Sequence, residues 1–153
     1  MIKKILPFVF MILLAGLLIF GISMKGRINN SLSEILQQQA SPEIVLSSGA
    51  LIDSLYNYEE NNSAYEITFL EFGAKGCSAC KRMEKVMDEI SQQYSGKVNV
   101  VFINVLLPES QDLMKYYGIA AIPTQVLLDR KGREYFRHTG YISADDLEME
   151  FKK

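Results

Sequence analysis

The sequence predicts an α/β domain, a mixed central β-sheet with helices on both faces, carried behind an apolar N-terminal helix. Three observations point there. From residue 43 onward, β-prone apolar runs alternate with apolar stripes at helical spacing. The first 22 residues pair a short basic stub with a long uncharged stretch. The two cysteines, Cys77 and Cys80, lie at the N-terminal end of one of the helical stripes.

At the N-terminus, Lys3 and Lys4 precede ILPFVFMILLAGLLIFGI, residues 5–22. Those 18 uncharged residues would span roughly 27 Å as a helix, close to the ~30 Å hydrocarbon core of a bilayer. A buried core helix fits poorly, because every face is apolar and Gly16 and Gly21 interrupt the run. A secretory signal peptide begins the same way. The exit FGISMKGRINN, however, offers no small-x-small cleavage site and no cysteine for lipid attachment. The expectation is therefore a single uncleaved anchor over residues 1–26. Lys25 and Arg27 nearly balance the charge of the stub, yet a short basic stub before a lone anchor usually stays in the cytoplasm. The rest of the chain would then face the periplasm or exterior from the inner membrane, in an oxidising compartment.

Residues 27–42 are rich in Ser, Asn and Gln, with a capping-box pattern from Ser31 to Glu34, and read as a polar stalk with a helical turn or two. The globular domain is expected over residues 43–153. Residues 43–46 suggest a short strand, and residues 48–58 carry Leu51, Ile52, Leu55 and Tyr56 at helical spacing. YEITFLEF, residues 65–72, suits a strand covered on both faces. Met83, Val86, Met87, Ile90 and Tyr94 recur in steps of three and four, a helix with the cysteines at its start. KVNVVFINVL (97–106) is a second buried strand, and residues 111–117 a short helix closed by Gly118. TQVLL (124–128) and residues 133–138 form two strands joined by DRKG, and a last helix runs from Ser143 as cap, with Asp145 and Asp146 in its first turn.

Composition bounds the function. Charged residues make up 22% of the 153, opposite signs interleave from residue 75 on, and the net charge is −2. No basic face is reserved for phosphate, so nucleic-acid binding is not expected.

The cysteines admit three readings. A structural disulfide usually closes a longer loop than two intervening residues, because the entropy removed from the unfolded chain grows with loop length. A tetrahedral zinc site lacks ligands, since the chain has no third cysteine and its one histidine, His138, is remote and reads as a solvated edge-strand residue. The third reading is chemical. At the first turn of a helix, unpaired backbone amides and the helix dipole stabilise a thiolate. Cys77 would be the nucleophile, aided by Lys75, Lys81 and Arg82, and Cys80, one turn deeper, the resolving thiol. Met83 and Met87 read as core filling and not as metal ligands.

FLEFGAKGCSACKRM, followed about forty residues later by GIAAIPTQVLLDRKGRE, resembles thioredoxin over roughly residues 44–152. The resemblance implies the thioredoxin fold, no metal or organic cofactor, and a cis-proline at Pro123 beside the cysteines. Client contact would then fall on Ile122, Pro123 and Gly76. It also implies that Glu71 takes the proton of the second cysteine, a role suited to a buried carboxyl of raised pKa. Three departures stand out: Gly76 replaces a tryptophan, Ser78 and Ala79 replace Gly-Pro, and Phe102 stands where a lysine often partners the buried acid.

The expected function is a membrane-tethered thiol–disulfide oxidoreductase that reduces disulfides in envelope proteins. By resemblance, its clients include apocytochrome c thiols, and a membrane-embedded donor supplies its electrons. The alternatives are a peptide-binding or holding module built on the Ile122–Pro123 groove, and an oxidant that introduces disulfides.

Overall fold

A computed structural model describes residues 31–152 continuously, together with 10, 11, 13–17, 21, 28 and 29. Most of the expected anchor, residues 5–22, lies outside the described residues. Those of it that are described are helical, and Phe10, Met11, Leu13, Leu14 and Leu17 are exposed. Among the described residues, no helix is long and apolar enough to cross a membrane.

Residues 31–38 are helical, and Ser33 is buried. The contact that buries it needs a glycine: Gly118 has φ 58°, and a Cβ there would run into the Ser33 carbonyl. The segment expected as a stalk thus includes a helical turn or two resting on the domain.

Helix α1 spans Pro42–Tyr56, which corrects the strand expected at residues 43–46. Isolated, the sequence EIVL has β-branched content that suits a strand. The helix-start residues Ser41, Pro42 and Glu43 decide otherwise. The Ser41 hydroxyl accepts from the Ile44 amide at 3.4 Å, Pro42 occupies the first helical turn where its missing N–H costs nothing, and Glu43 faces the positive end of the dipole.

The sheet has the order β2-β1-β3-β4. Strand β1 (Ile67–Gly73) runs parallel to β2 (Val98–Asn104) and antiparallel to β3 (Thr124–Leu128), which pairs antiparallel with β4 (Glu134–Thr139). Helix α2 (Ser78–Gln93) makes the β1-to-β2 crossover, and a 3-10 turn at Pro108–Ser110 leads into α3 (Gln111–Tyr116). The β3–β4 turn holds Gly132 at φ 72°, as the DRKG pattern requires. Helix α4 (Ala144–Phe151) is capped by Ser143, whose hydroxyl accepts from the Asp146 amide at 3.2 Å.

Alternation along β1 divides the core. Leu70 and Phe72 face Ile52, Tyr56 and Tyr117 from the α1 and α3 side. Phe69 faces Met83, Val86 and Ile90 of α2 and Leu147 of α4 on the other. Met83, Ile90 and Leu147 are fully buried, each contributing about 1.5–3 kcal/mol of apolar burial. Helices thus cover both faces, and Met83 and Met87 are packing residues as expected. The face on which a β1 side chain points decides whether it meets α2 and the cysteines.

Candidate active site

Cys77 and Cys80 are joined as a disulfide, with Cα atoms 5.2 Å apart. Cys77 is the N-cap of α2, in extended conformation, and its Sγ accepts from the Cys80 amide at 3.2 Å. This is one of the orphan N–H groups every helix start carries, and it points at sulfur. Cys77 is half-buried while Cys80 is only 4% exposed. A client can therefore reach the first sulfur and not the second.

Gly76, just ahead, has φ 91° with nothing within 4 Å of a built Cβ. Backbone conformation, not crowding, asks for glycine there. The residue expected as a lost tryptophan is thus part of the turn that delivers Cys77 to the helix start.

Crowding does matter at Gly73. A Cβ there would lie 3.5 Å from Cys80 Sγ and 2.9 Å from the Phe102 ring. The bare backbone at the end of β1 lets the second sulfur sit against the sheet. Phe102, 44% exposed, takes the place where the resemblance would put a lysine.

Glu71 lies two residues before Gly73, hence on the same face, about 7 Å back along the strand beneath α2. It is 0% exposed. Burial pushes its carboxyl up from 4.5 to about 8, against a hydrogen bond from Gln125 that lowers it. Gln125 Nε2 donates to Glu71 Oε2 at 3.0 Å across the β1–β3 pair. Glu71 Oε1 and Gln125 Oε1 are buried with no hydrogen-bond partner among the described residues. Such a carboxyl lies close to the ordinary thiol pKa of ~8.5.

The Ile122–Pro123 bond is cis. Extending the β1–β3 register by one step sets Pro123 opposite Gly73, at the end of the sheet from which the cysteine loop leaves. Pro123 O accepts from the Gly140 amide at 2.8 Å, while among the described residues Ile122 makes no backbone hydrogen bond. A groove of about 620 Å³ runs past Ser78, walled by Lys81, Arg82, Lys85 and Tyr141, with Arg82 4.7 Å from the centre of the Tyr141 ring. His138 is half-buried rather than solvated, its Nε2 3.2 Å from the Tyr141 carbonyl. Among the described residues, no group of three His, Cys, Asp or Glu side chains is placed to hold a metal.

The structure places Cys77, Cys80, Gly76, Ile122 and Pro123 at one end of the sheet, with Glu71 two residues back from Gly73 on the α2 face; Gln125 and Tyr141, which the sequence does not single out, lie beside them. The signal for Gln125 was a lone amide inside an apolar five-residue strand, TQVLL.

A helix-capping dithiol on a mixed sheet beside a cis-proline defines a thiol–disulfide exchange domain of the thioredoxin type. A family model described as "Thioredoxin-like domain" matches residues 53–153, and the chain belongs to that family. It is 31% identical to thioredoxin 1 of Nostoc over 66% of this chain and 91% of that one. It is 31% identical to the mitochondrial thioredoxin-2 of Schizosaccharomyces pombe over 76% and 89%. It is also 36% identical to the chloroplastic thioredoxin-like protein HCF164 of Arabidopsis thaliana over 55% of this chain, which spans only 32% of that relative. Among solved structures, thioredoxin-2 of the malaria parasite superposes with TM-score 0.52 at 26% identity, over 57% of this chain and 82% of that one. The exposed lipoprotein thioredoxin Etrx1 of Streptococcus pneumoniae shares the fold with TM-score 0.52 at 20% identity, over 60% and 87%. Family membership and the Cys77–Cys80 disulfide together support thiol–disulfide oxidoreductase activity on protein thiols and disulfides.

Proposed function

We propose that this chain is a membrane-tethered reductase of disulfides in envelope proteins, working through the Cys77–Cys80 dithiol from the outer side of the inner membrane. The observation that carries the chemistry is the seat of Cys77, half-exposed at a helix start with its sulfur on the Cys80 amide. The tether is supported by the uncharged run at residues 5–22 and by the exposure of Phe10, Met11, Leu13, Leu14 and Leu17 within it.

The Cys77 thiolate attacks one sulfur of a client disulfide, and the other client sulfur leaves and takes a proton. Cys80 then gives its proton to the Glu71 carboxylate and attacks Cys77 Sγ. The Cys77–Cys80 bond forms, the second client sulfur leaves and is protonated, and two electrons have passed from the protein to the client. Ile122 and Pro123, with Gly76 on the other side, offer the client an extended backbone to lie against. Re-reduction needs a second dithiol on the same side of the membrane, and a membrane-embedded donor suits a tethered acceptor.

Cys77→Ser is expected to abolish reduction of a model protein disulfide, and Cys80→Ser to accumulate client adducts on non-reducing gels. Full activity in both variants would refute the reading. A measured Cys77–Cys80 potential near about −270 mV supports a reductant, and one near about −120 mV would make the protein an oxidant. Recovery of the full chain in the soluble fraction after an alkaline wash of membranes would remove the tether.

A further inference from the structure

Among the described residues, Glu71 has one side-chain hydrogen-bond partner, and it is an amide. Gln125 is 0% exposed, stands directly opposite Glu71 in the β1–β3 register, and donates to Oε2 at 3.0 Å. On the other side of Glu71 the register partner is Phe102, which has neither donor nor charge. Among the described residues, the elements packed around this part of the sheet carry few titratable side chains on their buried faces. Cys80 is the titratable side chain on the buried face of α2, His138 is the register partner of Gln125 on β4, and α4 presents Ala144 and Leu147.

We propose that Gln125 is a positioning residue for the resolving step: it orients the Glu71 carboxyl and supports it both with and without its proton. This rests on the reading of Glu71 as acceptor of the Cys80 proton. A primary amide carries two donors and an acceptor. Its Nε2 donates to the carboxylate, as seen. A half-turn about the terminal torsion brings Oε1, now without a partner, to accept from the protonated acid. A lysine could serve only the anion, and an aliphatic residue neither form. Because proton uptake and release must both occur in each turnover, a partner matched to both states keeps the carboxyl close to the thiol it serves.

The test follows the two successive releases of thionitrobenzoate when the reduced full-length protein meets Ellman's disulfide. The first reports attack by accessible Cys77, the second resolution by Cys80. Gln125→Leu is expected to leave the first phase unchanged and slow the second about ten-fold at pH 7, with the Glu71 midpoint, read by carboxyl ¹³C shift in the oxidised protein, raised by about one unit. Gln125→Lys should move that midpoint down. Gln125→Met replaces the leucine variant if that fails to fold, with the same expectation. Unchanged second phase and midpoint in the apolar variant, with Glu71→Gln slow in the second phase, would overturn the role of Gln125 alone. A second phase unaffected by Glu71→Gln would overturn the reading of Glu71 on which it rests.

Discussion

Strand β1 buries a polar side chain near each end, and the two ends treat it differently. Near the start, Thr68 faces the α1 side, where its hydroxyl meets Tyr58 Oη at 2.6 Å and Asn99 Nδ2 donates to the same oxygen at 2.9 Å. Near the finish, Glu71 faces α2 and shares one hydrogen bond with Gln125. The first network is closed and ties Tyr58, just past the end of α1, to the sheet. Among the described residues, the second leaves Glu71 Oε1 and Gln125 Oε1 without a hydrogen-bond partner. An unsatisfied buried group costs about 1–3 kcal/mol, so the open pair is a cost to the fold, which the proposed relay through Glu71 would account for.

The largest effect that separates the two ends is a pH dependence. The Glu71 carboxyl titrates near 4.5 when unfolded and near 8 when folded, so the folded state holds its proton more tightly. That stabilisation is complete below pH 4.5 and lost as pH rises through about 8, a total on the order of 5 kcal/mol for a shift of this size. Urea melts of the oxidised protein should show stability falling from pH 5 to pH 9, and Glu71→Gln should flatten the curve. The same fall in the variant would assign the titration elsewhere and erase the contrast between the ends.

At the closed end the effect is smaller and of another kind. Tyr58→Phe strands Thr68 and Asn99 and should cost about 1–3 kcal/mol, equally at pH 5 and pH 9. Dithiol kinetics should not change, because Thr68 points away from α2. A slowed resolving phase in this variant would mean that the two faces of β1 are coupled.

How much of this was legible in the sequence follows the range of each signal. The Cys-x-x-Cys pair, the Pro123 loop and the bounds of TQVLL are local patterns, and the chain folds as they read. Glu71 was legible as a buried acid only through the family resemblance. Its partner was not, because Glu71 and Gln125 are 54 residues apart and meet only once the strand register is set. Gly76 read as a missing tryptophan, since a positive φ leaves no trace in composition. Residues 43–46 are the instructive miss. Their apolar β-branched content suits a strand, but the helix-start signal Ser41-Pro42-Glu43, which overlaps them, prevails.

That start signal supplies the mildest test of the contrast. Ser41 satisfies one amide of the first turn of α1, and α1 leads into the segment that brings Tyr58 to Thr68. Ser41→Ala should cost about 0.5–2 kcal/mol, through fraying of the helix that covers the closed end. The loss should be uniform in pH, since no ionisation is involved, and both thionitrobenzoate phases should keep their wild-type rates. Glu43 in the first turn and Pro42 remain, so the helix is weakened and not abolished. A variant with wild-type stability would show that α1 is held by packing of Ile52 and Tyr56 alone. A variant with altered resolution would show that the layer over Thr68 also governs the carboxyl on the opposite face, and the two ends of β1 would have to be treated as one network.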